Sequence, residues 1–150
     1  MNWQKLLENG ELQLKMMSQK EVDGVLAKAH KLLKAASILI KEDVDESTFK
    51  EAYDAMILVS RALIFSLGYK PRTIGSHAIT INFCELYFGP KIKAVINRFK
   101  RMREKRNYLI YGAGIMISKT EALNAISSAK DFLSMIEAEI FKKRKQKKLI

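Results

Sequence analysis

A single cysteine, Cys84, stands in 150 residues, which excludes an internal disulfide framework and suits a reducing compartment. Its neighbours Phe83 and Leu86 make it a small core residue. Two prolines and seven glycines are too few for a many-turned all-β chain or a disordered one. Two isolated histidines, His30 and His77, cannot form a zinc or iron site with that one cysteine, so neither a metal nor a cofactor is expected. Acids are also short: 16 Asp and Glu stand against 27 Lys and Arg, a formal charge of +11. No uninterrupted apolar run approaches the roughly 20 residues that span a bilayer. The start, Met1-Asn2-Trp3-Gln4-Lys5, lacks the apolar segment of a secretory signal. These absences predict a soluble cytoplasmic protein with no membrane partner, and an excess of positive charge that favours RNA, DNA or an acidic surface.

What is present is helical periodicity. Hydrophobic residues make up 48% of the chain, ample for a core, and 150 residues form one domain by default. Ser18-Gln19-Lys20-Glu21 has capping-box form and opens a stripe of Val22, Val25, Leu26, Ala29, Leu32, Leu33, Ala36 and Ile40. His30 lies beside that stripe among lysines, as a solvated or boundary residue. Asp45-Glu46-Ser47-Thr48 supplies caps for a helix whose inner face is Phe49, Ala52, Tyr53, Met56, Val59, Leu63 and Leu67. Ala55, Ile57, Leu58, Ala62, Ile64 and Phe65 make it apolar nearly all round, the pattern of a central helix. Gly68 and Pro71 stop it, and Tyr69–Gly75 is a connecting loop. Ser76 caps a short helix to Phe88, with His77 in its first turn, either exposed or contacting an anion at the positive helix end. Ile79-Thr80-Ile81 tolerates a strand, but no partner strand is legible. Ser118-Lys119-Thr120-Glu121 repeats the capping box before a last helix. Leu123, Ile126, Ala129, Leu133, Ile136 and Ile140 point inward there, and a basic tail follows from about residue 142 to 150. The fold class is therefore all-α: an antiparallel up-and-down bundle of five to six helices in one domain over 1–150.

The helix before Gly112 carries the most unusual pattern. Between Lys91 and Arg106 there are eight basic residues and one acid, Glu104. Most lie off the apolar stripe Ile92, Val95, Ile96, Phe99 and Met102, and form a basic outer face. The same spacing projects Arg106 onto the buried side, followed by Leu109 and Ile110. A cation is rarely placed there without a partner. Either Arg106 pairs with a buried acid such as Asp54, or it joins Asn107 and Tyr111 in a site where arginine meets phosphate, asparagine orients a hydroxyl and tyrosine donates a hydrogen bond. Arg103, Lys100, Arg101 and His77 complete the candidate RNA- or nucleotide-binding set. Gly112-Ala113-Gly114 lacks the spacing of a phosphate loop, and Asp43 with Asp45 sits at a helix junction, so hydrolytic chemistry has no support there.

Four stretches together resemble the HEPN domain, an α-helical family. They are Glu51-Ala52-Tyr53-Asp54-Ala55-Met56, Leu67–Thr73 with Gly75-Ser76-His77, Arg103–Gly112, and Thr120–Phe132, covering roughly residues 20–141. The resemblance implies a homodimer whose two helix-end motifs face one another. In many members it implies a metal-independent RNase using Arg-x(4–6)-His, paired as a toxin with a small nucleotidyltransferase. Arg106 and Asn107 match that motif, Tyr111 stands where the histidine is expected, and Ile110 replaces an acid. A phenol with a pKa of about 10 is a poor substitute for imidazole at neutral pH. The implied function is thus an RNA- or nucleotide-binding partner subunit in a toxin–antitoxin or defence setting. A metal-independent RNase with a degenerate motif, or a structural interaction module, are the alternatives.

Overall fold

The computed structural model describes residues 2–112, 114 and 116–148. Six α-helices and two short strands follow in the order α1 (Lys5–Glu8), β1 (Leu12–Leu14), α2 (Gln19–Leu39), α3 (Asp45–Ser66), β2 (Tyr69–Pro71), α4 (Ser76–Phe88), α5 (Lys93–Ile110) and α6 (Lys119–Lys148). Short 3-10 turns at Ile40–Glu42 and Gly89–Ile92 join α2 to α3 and α4 to α5. The all-α bundle read from the periodicity is what forms, with α3 at its centre touching α2, α4, α5 and α6. Twelve of the 22 residues of α3 are buried, in keeping with a sequence that is apolar nearly all round, and its polar side is the narrow strip of Glu46, Lys50, Asp54 and Arg61. Phe99 of α5 links the core by edge-on ring contacts to Tyr53 of α3 and Phe132 of α6, at 5.7 and 5.3 Å. Cys84 is fully buried, and burial pushes its thiol up to about 12.

Thr48, Ser60 and Thr80 are buried, and each donates to the carbonyl four residues back: Thr48 to Val44, Ser60 to Met56 and Thr80 to Ser76. Their desolvation is thereby offset without crossing between helices. Both capping boxes close. Ser18 accepts from the Glu21 N–H at 3.1 Å, and Ser118 accepts from the Glu121 N–H at 3.1 Å, while each glutamate accepts from its serine's N–H. Ser118→Ala is expected to cost about 1 kcal/mol, read as a lower midpoint of thermal unfolding with the same final fold.

The structure departs from the sequence expectations at several points. Leu12–Leu14 and Tyr69–Pro71 pair as an antiparallel ribbon, with Gln13 opposite Lys70, so the first residues of the expected Tyr69–Gly75 loop are a strand. Val44, not an acidic residue, precedes α3, and no side chain caps that helix; Asp45 and Glu46 contribute only negative charge to its first turn. Gly75, in the left-handed region at φ 72°, is the residue before α4, so Ser76 is the first helical residue and not its cap. Ala122 is buried while Leu123 is 49% exposed, and Ile110 is 53% exposed, because both side chains fall just past the edge of the buried stripe. Phe132, beside the inward stripe of α6, is within the core. The basic tail is helical to Lys148, held where Arg144 reaches Asp23 of α2 at 2.8 Å; its last two residues lie outside the described ones. Among the described residues no helix is long and apolar enough to cross a membrane.

Candidate nucleic-acid interface

Arg106 does sit on the inner side of α5. Its Nε lies 3.2 Å from Asp54 Oδ1 on α3, and its guanidinium stands 5.5 Å from the centre of the Tyr53 ring. Both halves of the pair are shielded, at 23% and 34% exposure. The Nε–H is not aimed well enough at the carboxylate to count as a directed hydrogen bond, so the contact is mainly ionic. Burial raises the Asp54 pKa, and the charge of Arg106 opposes that rise. Arg106 therefore couples α5 to α3 as the buried-partner reading foresaw. The rest of its fork stays beside the phenyl face of Tyr53.

His77 comes to the same place from α4. Its Nδ1 is 2.9 Å from the Tyr53 hydroxyl, and its ring centre is 5.6 Å from that of Tyr53. It is half-buried, not the exposed helix-start residue of the simpler expectation. Imidazole and Arg106 guanidinium thus both stand within 6 Å of one tyrosine ring. Burial, then the charges of Arg61, Arg106 and Arg103, pushes the His77 pKa down to about 4. Burial likewise raises the Tyr53 phenol. At neutral pH the pair is uncharged. Between about 4 and the ordinary 6.5 the unfolded chain binds a proton that the folded chain refuses, so this group's contribution is lost as pH falls through that window. Asp54, with its pKa raised, has the opposite sign, stability rising as the carboxyl takes its proton. Comparing wild type with His77→Gln isolates the histidine: thermal midpoints at about pH 5 and about pH 7 should differ less in the variant.

The outer face of α5 divides by partner. Lys100 donates to both oxygens of Glu85, at 2.9 and 3.1 Å, and Lys105 pairs with Glu121 of α6. Arg98 and Arg101 are exposed and make no ion pair among the described residues. One turn apart, they border a cavity of about 270 Å³ between α5 and α6, lined also by Phe49 and Met102, by Asn124 and Ser128, and by the Lys105–Glu121 pair. Apolar side chains, two guanidiniums unpaired among the described residues, two neutral hydrogen-bonding side chains and a Glu121 carboxylate already neutralised by Lys105 together suit a base or sugar with its phosphate.

Among the other candidates, Arg103 is half-buried and faces the Tyr53–His77 side, where its charge acts on both groups. Asn107 is exposed, and Tyr111 is 84% exposed, so neither is gathered with Arg106 inside one chain. No group of three or more metal-binding side chains stands together among the described residues. Glu137 pairs with His30, a carboxylate partner that lies 107 residues away. Of the residues that the periodicity did not single out, Arg61 had a readable signal: it is the lone cation in the apolar run of α3. Arg98, Asn124 and Ser128 had none, because their convergence depends on how α5 and α6 pack.

The chain thus combines a half-buried Arg106 tied to the central helix, a glycine-terminated α5, and a bundle closed by a long capped helix. Comparison with curated proteins found no match. The family model described as the HEPN domain matches residues 22–140, from the first turn of α2 to the last buried residue of α6, and the chain belongs to the HEPN domain family.

Proposed function

We propose that the chain binds RNA or an RNA-derived nucleotide on the α5 face, with Arg98 and Arg101 meeting phosphate at the α5–α6 cavity and Lys100, Arg103 and Lys105 extending the field. The observation that carries this reading is the pair of exposed guanidiniums without ion-pair partners among the described residues, set at the mouth of that cavity. Arg106, Asn107 and Tyr111, outside that cavity at the end of α5, would contact RNA that continues past it. Binding of a fluorescent oligoribonucleotide, followed by anisotropy, tests it; no saturable binding at low salt sinks it.

The working unit in this reading is a homodimer. Tyr108, Ile110, Tyr111, Met116 and Leu123 are all about half exposed or more, and they fall on the last turn of α5, the following loop and the start of α6. A second copy covering them supplies the apolar burial that one chain leaves open. The HEPN family assignment and the basic face also support a role beside a nucleotidyltransferase-type protein in a toxin–antitoxin or defence system. A small nucleotidyltransferase in the neighbouring reading frame is the observation to seek.

One observation favours the RNase alternative. His77 brings an imidazole beside Arg106 from another helix, although Tyr111 occupies the motif position. RNA incubated with the chain in EDTA distinguishes the readings. Intact RNA supports binding alone; cleavage lost in both Arg106→Ala and His77→Ala supports the nuclease.

A further inference from the structure

The central helix carries a cation with no ion-pair partner among the described residues. Arg61 of α3 is half-buried, and its Nη2 donates to Ser76 Oγ at 2.9 Å. Its Nε is buried with no hydrogen-bond partner among the described residues, and no carboxylate there lies within ion-pair distance. Asp54, the acid whose charge it feels, is engaged by Arg106. Burial lowers the Arg61 pKa, as expected for a charge withdrawn from water. Such a charge is costly unless a counter-charge reaches it.

A place for that counter-charge lies beside it. An open cavity of about 310 Å³ sits between the β-ribbon, α3 and the entry to α4. Lys15 and Lys70 bring two further cations, Thr73 and Ser76 bring hydroxyls, and Phe65 forms part of an apolar wall. None of its lining residues is acidic. The ribbon fixes the lysines: Lys70 pairs in register with Gln13, and the Lys15 N–H donates to the Gly68 carbonyl at 2.9 Å. Both side chains are exposed, so their charge reaches the cavity without cost to the core.

We propose that this cavity is a phosphoryl-binding site, with Arg61 as a planar fork, Lys15 and Lys70 as point charges and the Thr73 and Ser76 hydroxyls as donors. The phosphoryl group is that of a free nucleotide or of an RNA 5′ end. The site shares no lining residue with the α5–α6 cavity, so each stands or falls without the other.

The test is an amide chemical-shift titration of the full chain with inorganic phosphate, AMP, and 5′-phosphorylated and 5′-hydroxyl forms of one short oligoribonucleotide. The expected result is saturable shifts at the amides of Lys70, Thr73 and Ser76 with phosphate-bearing ligands, weakened about tenfold or more in Lys15→Ala/Lys70→Ala. Those two lysines are exposed, so this variant keeps the fold; Arg61→Gln, which also removes the contact to Ser76, is read beside it. Tighter binding of the 5′-phosphorylated strand than of AMP assigns the site to an RNA end, and the reverse assigns it to a nucleotide. Arg98→Glu/Arg101→Glu should leave these shifts in place, which separates this site from the α5 face. The absence of saturable shifts at these amides, undiminished affinity in the lysine variant, or binding indifferent to the phosphate overturns the proposal.

Discussion

Arg98→Glu/Arg101→Glu is expected to weaken binding of a single-stranded oligoribonucleotide about a hundredfold at moderate salt, and to reduce the slope of log K against log salt by about 1.4. Each phosphate contact to single-stranded nucleic acid releases roughly 0.7 counter-ion, so two lost contacts account for the slope. The reversed charges add repulsion, which accounts for the remainder of the affinity loss. Both arginines are exposed and make no ion pair among the described residues, so their replacement leaves the core and the helix contacts unchanged. A control removes the trivial explanation. Lys31→Glu/Lys34→Glu, on exposed positions of α2, changes the net charge of +11 by the same amount. The account predicts only a small loss for that control, through the long-range field. Equal losses in the two variants would mean that net charge alone attracts the RNA.

Phe99→Ala is expected to destabilise the fold by about 3–5 kcal/mol, a large part of the roughly 5–15 kcal/mol that holds a domain folded. Phe99 has no exposed surface and stands between Tyr53 and Phe132, so its removal leaves a cavity shared by α3, α5 and α6. Urea unfolding should show the loss as a lower midpoint with a similar slope. The consequence extends to the site. Tyr53 holds His77 with its hydroxyl and carries Arg106 on its face, and Phe99 is one of the rings that fixes Tyr53. Tyr111→Ala makes the contrast: at 84% exposure it should move stability by less than about 0.5 kcal/mol.

Much of this fold is legible in the sequence because helices write their burial at a period of 3.6 residues. The stripe from Ile92 to Met102 alone places Arg106 on the inner side, and Asp54 was the natural acid for it on the central apolar helix. Both capping boxes were readable because their hydrogen bonds span only three residues. The resemblance to HEPN domains, over roughly residues 20–141, agrees with the family match at 22–140. What stayed hidden involves partners distant in sequence. Strands of three residues carry no usable alternation, and the partner of Leu12 is Pro71. Ser76 has the chemistry of a cap, but the left-handed turn at Gly75 starts the helix one residue earlier, at Ser76 itself, whose hydroxyl accepts from Arg61 instead. The pairing of Tyr53 with His77 crosses 24 residues and two helices. A lone arginine in an apolar helix was the overlooked signal for Arg61, the same kind of signal that was noticed at Arg106.

The most direct measurement is photocrosslinking of the chain to 4-thiouridine-containing RNA, with the attached peptides located by mass spectrometry. The account predicts crosslinks in the segment from Arg98 to Lys105 and in the facing segment from Asn124 to Ser128, lost in Arg98→Glu/Arg101→Glu. Crosslinks confined to the basic end of α6, Lys142 to Lys148, with none on α5, would contradict it.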